Sequence, residues 1–264
     1  SKIIIRTSDL LVIRDPYVIL GLIIMVVFVL FAAIKMPIYK DKEGIPSIRS
    51  TFSTLVNDKK YMLGLLAQFL NVGAMIMCWT YIYQYAEAIG IDSVTTGYYQ
   101  MTAFVLFTIG RVVGTYLLRF ISSGKLLMYF SIFAMVFILG TIFINGIIGL
   151  YSLVFVSFCL SLMFPTIYGI ALGNLNEEQS KIGSAGLVMA IVGSALLPKI
   201  QGLIIDSGGR GVADILILGV PEVNFSFILP LLCFVYLRNY QDGVLIHVTI
   251  KQMSLHVVRS IGWW

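Results

Sequence analysis

Charge is what this sequence has least of: Asp, Glu, Lys and Arg together make 12% of its 264 residues, while hydrophobic residues make 59%. Mean hydropathy is +0.95, far above the range of water-soluble domains. Histidine is nearly absent, with His247 and His256 both near the end, and no Asp, Glu or His lies well inside a long apolar run. That scarcity disfavours an acid, base or metal ligand at membrane depth, and with it an intramembrane hydrolase or transferase. It equally disfavours proton coupling by this chain alone. Cys78, Cys159 and Cys233 each sit within an apolar run, without paired spacing or a neighbouring His, so they read as buried free thiols. The formal charge of +5 comes from Lys and Arg scattered in loops, with no basic stripe interleaved with aromatics, so no nucleic-acid partner is implied. No short apolar core followed by a small-residue cleavage site opens the chain, and the first residue is Ser1, the pattern expected of a fragment.

Long apolar runs are what is present. A membrane-spanning helix needs about 20 apolar residues, and helices satisfy every backbone amide within lipid. Candidate spans fall at Pro16 to Ile34, Tyr61 to Ala86, Tyr98 to Leu118, Leu126 to Ile144, Ile147 to Leu172, Ile182 to Ile205 and, shortest, Val223 to Leu237. The fold class is an all-α integral membrane protein of about seven transmembrane helices embedded in a lipid bilayer. Pro16 is expected at the start of the first span, where it costs no helical hydrogen bond. Six basic residues (Lys35, Lys40, Lys42, Arg49, Lys59, Lys60) place the 35–60 segment on the cytoplasmic side, and the segment from Glu87 to Gly97, which lacks Lys and Arg, outside. Residues 1–15, with three basic residues, and Arg210 in the loop from Asp206 fit that orientation less well. One long charged loop followed by six spans divides the chain into a lone helix (1–34), a central loop (35–60), a six-helix half (61–237) and a tail (238–264). A seven-helix receptor is the rival layout, and a channel a weaker one for want of a charged ring or filter-like loop.

Several residues carry candidate chemistry. Gln68 and Asn71 are three apart on the second span, and the same face continues through Met75, Trp79 and Ile82. Amides that bond hydroxyls beside a ring that covers an apolar sugar face make a sugar site; interhelical hydrogen bonding is the alternative. Arg111, the formal charge well inside a span, is flanked by Gly110 and Gly114, a small-xxx-small pair that admits another helix closely. It reads as a gate near the cytoplasmic face or as a snorkelling side chain. Pro165 removes a hydrogen bond within the fifth span and is expected to bend it beside Phe164, Thr166 and Tyr168. Gly186, Ala190 and Ser194 repeat every fourth residue as a packing seam. No metal site and no cofactor is implied.

Residues 67–74 (Ala-Gln-Phe-Leu-Asn-Val-Gly-Ala), 163–168 (Met-Phe-Pro-Thr-Ile-Tyr) and 186–193 (Gly-Leu-Val-Met-Ala-Ile-Val-Gly) resemble the fucose-galactose-glucose:proton symporters, the L-fucose permease group of the major facilitator superfamily. Cys78-Trp79, Gly110 to Thr115 and Pro198 to Gly202 add to it, in family order from about Arg14 to Tyr236. The resemblance implies a twelve-helix fold, of which this chain holds the C-terminal six-helix half plus the preceding helix. It also implies alternating access and proton-driven monosaccharide uptake (L-fucose, or glucose, galactose or N-acetylglucosamine) across a bacterial inner membrane. The proton-linked carboxylates it implies belong to the first half. Gln68, Asn71, Trp79, Phe164, Thr166 and Tyr168 would supply part of the sugar site, with Gln68, Asn71 and the Pro165 helix facing the central cavity. From Arg238 the sequence departs from the family pattern, as a reading-frame change or truncation would leave it, so this polypeptide alone is expected not to transport. The alternative is a scaffold or half-transporter that works only when paired with another chain.

Overall fold

The computed structural model describes residues 2–34, 48–208 and 216–240, with side chains for 14–34, 51–207 and 216–240. Of the expected segments, 35–47 of the central loop, the Arg210 stretch and 241–264 of the tail lie outside the described residues. Seven helices among those described are long and apolar enough to cross a membrane: Arg14–Ala33, Lys59–Ala88, Ser93–Leu117, Ser123–Phe143, Ile147–Leu172, Glu177–Ile205 and Glu222–Tyr240.

The chain forms two compact units, Ser1–Ile45 and Pro46–Trp264. The first holds α1 (Lys2–Ala33), which begins well before Pro16, so that proline lies inside the helix and not at its start. Apolar residues between Lys2 and Asp15 extend the helical pattern upstream, and Pro16 leaves the Val12 carbonyl without its helical donor. Arg14 pairs with Asp15 at 2.8 Å on an exposed surface.

The second unit opens with α2 (Ile48–Asn57), inside the stretch expected to be loop. This helix has only one apolar face, on which Leu55 and Thr51 are buried while Phe52 and Val56 are exposed, so a search for long apolar runs passes over it. Asp58 then caps α3 (Lys59–Thr80), its carboxylate accepting from the Lys60 and Tyr61 amides at 2.9 and 3.4 Å. Tyr81 separates α3 from the short α4 (Ile82–Ala88), and the two together make one span. Next come α5 (Ser93–Leu117), α6 (Ser123–Phe143) and α7 (Ile147–Leu172). The sixth span is α8 (Glu177–Met189) and α9 (Gly193–Ile205), joined by one 3-10 turn at Ala190–Val192. A two-residue antiparallel ribbon, Leu216–Ile217 with Val220–Pro221, turns the chain into the last span. That span runs to Tyr240, whose side chain is buried, so helix continues past Leu237, the expected end of the span, into residues expected to open the tail.

α7 is the central element, packed against α3, α5 and α6, while α3 also packs on α9. Water exclusion cannot drive such packing in lipid, so close van der Waals fit and interhelical hydrogen bonds must. The core follows that rule: Met77, Tyr85, Leu153, Leu160, Phe227 and Phe234 fill its middle, and glycines mark the crossings. A Cβ on Gly110 would lie 2.5 Å from the Phe158 carbonyl oxygen, and one on Gly114 2.5 Å from Leu162 Cδ1. Gly193 meets the Phe69 carbonyl just as closely across the α3/α9 contact.

Candidate functional site

Gln68 and Asn71 lie on the α3 turn that Gly193 allows α9 to approach, and this decides their environment. Gln68 is 0% and Asn71 1% exposed. The pair is therefore enclosed among the side chains of the six-helix unit. Burial has not given them partners: Gln68 Nε2 and Oε1 and Asn71 Oδ1 have no hydrogen bond among the described residues. An unbonded buried amide costs about 1–3 kcal/mol, so such a pair calls for an explanation.

Trp79, two turns further along α3, belongs to a different junction. Its ring meets Phe104 and Phe107 of α5 edge-on at 5.0 and 5.2 Å, and its Nε1 donates to Ser157 Oγ of α7 at 3.1 Å. The predicted amide and aromatic stripe is thus split into an enclosed amide pair and an aromatic joint among three helices.

On α7 the helix runs unbroken through Pro165. Phe164 and Tyr168, both half-buried, stack with centroids 6.4 Å apart beside the exposed Pro165. Thr166 is buried, and its hydroxyl donates back to the Leu162 carbonyl at 2.7 Å, so that donor is already engaged. Arg111 is exposed; its Nε donates to the Ser161 carbonyl at 3.3 Å and its guanidinium lies 5.1 Å from the Phe107 centroid. Gly110 and Gly114 act here as the contact surface that seats α5 on α7. In the small-residue seam of the sixth span, Gly186 abuts the Tyr61 hydroxyl and Ala190 is buried, while Ser194 is only half-buried.

Sequence reasoning passed over a second polar group at one end of the bundle. Asn224 Nδ2 donates to the Thr141 carbonyl and to Asn145 Oδ1, each at 3.0 Å, and Tyr85 Oη donates to the Ile144 carbonyl at 3.2 Å. Gln201 Nε2 donates to Ser226 Oγ at 3.0 Å, and Glu222 is 0% exposed. The expected last span began one residue after Glu222, which removed this acid from view. Asn224 and Ser226 at the mouth of that span, with Asn145-Gly146 in the turn before α7, were the available signals.

Comparison with known proteins gives this architecture its family. The Major Facilitator Superfamily family matches residues 8–209. The chain belongs to the Major Facilitator Superfamily. It is 47% identical over 241 residues to the L-fucose-proton symporter of Haemophilus influenzae, covering 91% of this chain and 54% of that protein. The L-fucose-proton symporter of Escherichia coli is 30% identical over 238 residues (87% and 51%), and the glucose/galactose transporter of Brucella abortus 27% over 231 (86% and 52%). The crystal structure of the superfamily transporter FucP in its outward conformation superposes with a TM-score of 0.74 at 27% identity, over 88% of this chain and 54% of FucP. The chain spans about half the length of the curated relatives it matches. It is a multi-pass membrane protein of a transporter family, and a match to about half of each relative is consistent with the C-terminal half that the motifs implied.

Proposed function

We propose that this chain supplies the second half of a monosaccharide:proton symporter of the bacterial inner membrane, with L-fucose as substrate and glucose or galactose as the next choice. It works by moving a sugar and a proton, not by transforming either. The observation that carries the reading is the 47% identity to an L-fucose-proton symporter across 91% of the chain. The enclosed amides of Gln68 and Asn71, with both Gln68 atoms and Asn71 Oδ1 unbonded among the described residues, support it. They are polar groups held at membrane depth that a sugar hydroxyl can satisfy when the helices part, as alternating access requires. Phe164, Tyr168 and Trp79 offer apolar ring surface, and Thr166 assists through its place on α7 and not through its engaged hydroxyl. A complete cavity and the proton-linked carboxylates come from a first half, since relatives extend to nearly twice this length.

Labelled L-fucose uptake in transport-deficient cells tests the reading. The chain co-expressed with the first six helices of a family member takes up the sugar; a protonophore and Asn71→Ala each abolish uptake. Paired cells without uptake would leave a non-transporting fragment or the scaffold reading.

A further inference from the structure

Arg111 and Pro165 sit on different helices, yet the chemistry of one answers a defect made by the other. Proline has no amide hydrogen, so the carbonyl four residues earlier in α7, that of Ser161, loses the donor an α-helix would give it. Ser161 is 0% exposed, so water does not readily replace that donor. Neighbouring hydroxyls are committed elsewhere: Ser161 Oγ donates to the Phe158 carbonyl at 2.8 Å and Thr166 Oγ1 to the Leu162 carbonyl at 2.7 Å. Arg111 Nε, from α5, reaches the Ser161 carbonyl at 3.3 Å.

The surroundings hold it there. Gly110, the residue before Arg111, lies directly on the α7 turn 158–161, where a Cβ would come 2.7 Å from Ser161 Oγ. On its other side the guanidinium packs 5.1 Å from the Phe107 centroid, and Phe107 is braced edge-on by Trp79. We propose that Arg111 is a positioning residue that stands in for the missing amide of Pro165, closing the gap in the α7 ladder from the neighbouring helix and so fastening α5 to α7. A guanidinium placed at membrane depth to engage a backbone carbonyl also has its own charge partly compensated. This inference is independent of what the protein transports.

A double-mutant cycle on the purified full chain in detergent tests it. Arg111→Met lowers the melting temperature by roughly 2–4 °C, the shift that one lost interaction gives in a chain near this size. Pro165→Ala restores the amide, so Arg111→Met in that background costs less than half as much. Equal losses in both backgrounds overturn the proposal. Arg111→Lys, which keeps a donor, recovers part of the loss, and a Lys variant no better than Met counts against it. A direct readout is the carbonyl 13C resonance of Ser161, selected by 13C-serine and 15N-leucine labelling as one of the Ser–Leu pairs 152–153, 161–162 and 254–255. It moves upfield in Arg111→Met and returns in the double variant; a resonance that stays in place in Arg111→Met overturns the assignment.

Discussion

Two buried polar regions of the six-helix unit differ in how fully they are hydrogen-bonded. At the bundle end, Asn224 joins the last span to the end of α6 and the α6–α7 turn through two 3.0 Å hydrogen bonds, and Tyr85 and the Gln201 amide nitrogen add further links, while Gln201 Oε1 goes unbonded among the described residues. In mid-bundle, Gln68 and Asn71 are just as buried, but both amide atoms of Gln68 and Oδ1 of Asn71 go unbonded among the described residues. Since a polar group in an apolar interior repays its burial only when bonded, the first region, well bonded at Asn224, contributes more to the fold than the second. The comparison teaches where the molecule is fastened and where its buried polar groups are left unbonded.

The contrast can be broken most severely at its fastened side. Asn224→Ala leaves the Thr141 carbonyl and Asn145 Oδ1 without this donor, and a stability loss of about 3 kcal/mol is expected, measured by thermal or denaturant unfolding in detergent. A loss under one third of that would mean the network is peripheral. Gly110→Leu, which forces a side chain into the Phe158 carbonyl, is expected to cost about 1–3 kcal/mol and to loosen α5 from α7, read by crosslinking between cysteines placed on those helices. Gln68→Leu and Asn71→Leu sharpen the other side. Each removes unbonded amide atoms, so stability should change by less than about 1 kcal/mol, or rise, while uptake by the paired protein is lost. Large destabilisation by either would show the amides to be structural.

The smallest effect concerns the loop before α5. Asp92 caps that helix, accepting from the Thr95 hydroxyl at 2.7 Å and from the Thr95 and Val94 amides at 3.0 and 3.1 Å. The hydrogen bond from the Thr95 hydroxyl, then the backbone bonds, hold its carboxyl below the usual carboxylate range. A folded-state value below the unfolded one means that the contribution is present above the unfolded value and is lost as pH falls through the folded one. Melting curves of the parent should therefore lose slightly more stability between neutral and acid pH than those of Asp92→Asn. Identical pH dependence would remove the cap from the account.

Much of the fold was legible because lipid imposes it. The span Ile147–Leu172 was read with its observed ends, since Gly146 and the following polar stretch bound an unbroken apolar run. Elsewhere apolar content located the helices while caps set their starts: Asp92 begins α5 five residues before the apolar run first clear at Tyr98, and Asn176, whose amide donates to Gln179 Oε1, does the same for α8. Amphipathic α2 stayed hidden because one buried face gives no long apolar run. For the site, spacing placed Gln68, Asn71 and Trp79 on one side of α3, but could not show which neighbours cover it. That depends on Gly193 and Phe107, residues far along the chain whose meaning appears only in the packing.

Ligand-induced thermal stabilisation of the chain co-purified with a family first half, with and without Asn71→Leu, tests most directly the claim that the enclosed amides are kept for a sugar. The account predicts that L-fucose raises the melting temperature of the parent pair, and that the variant pair melts at the same temperature or slightly higher without sugar and gains nothing from it. A variant that melts much lower, yet is stabilised by L-fucose as the parent is, would contradict it.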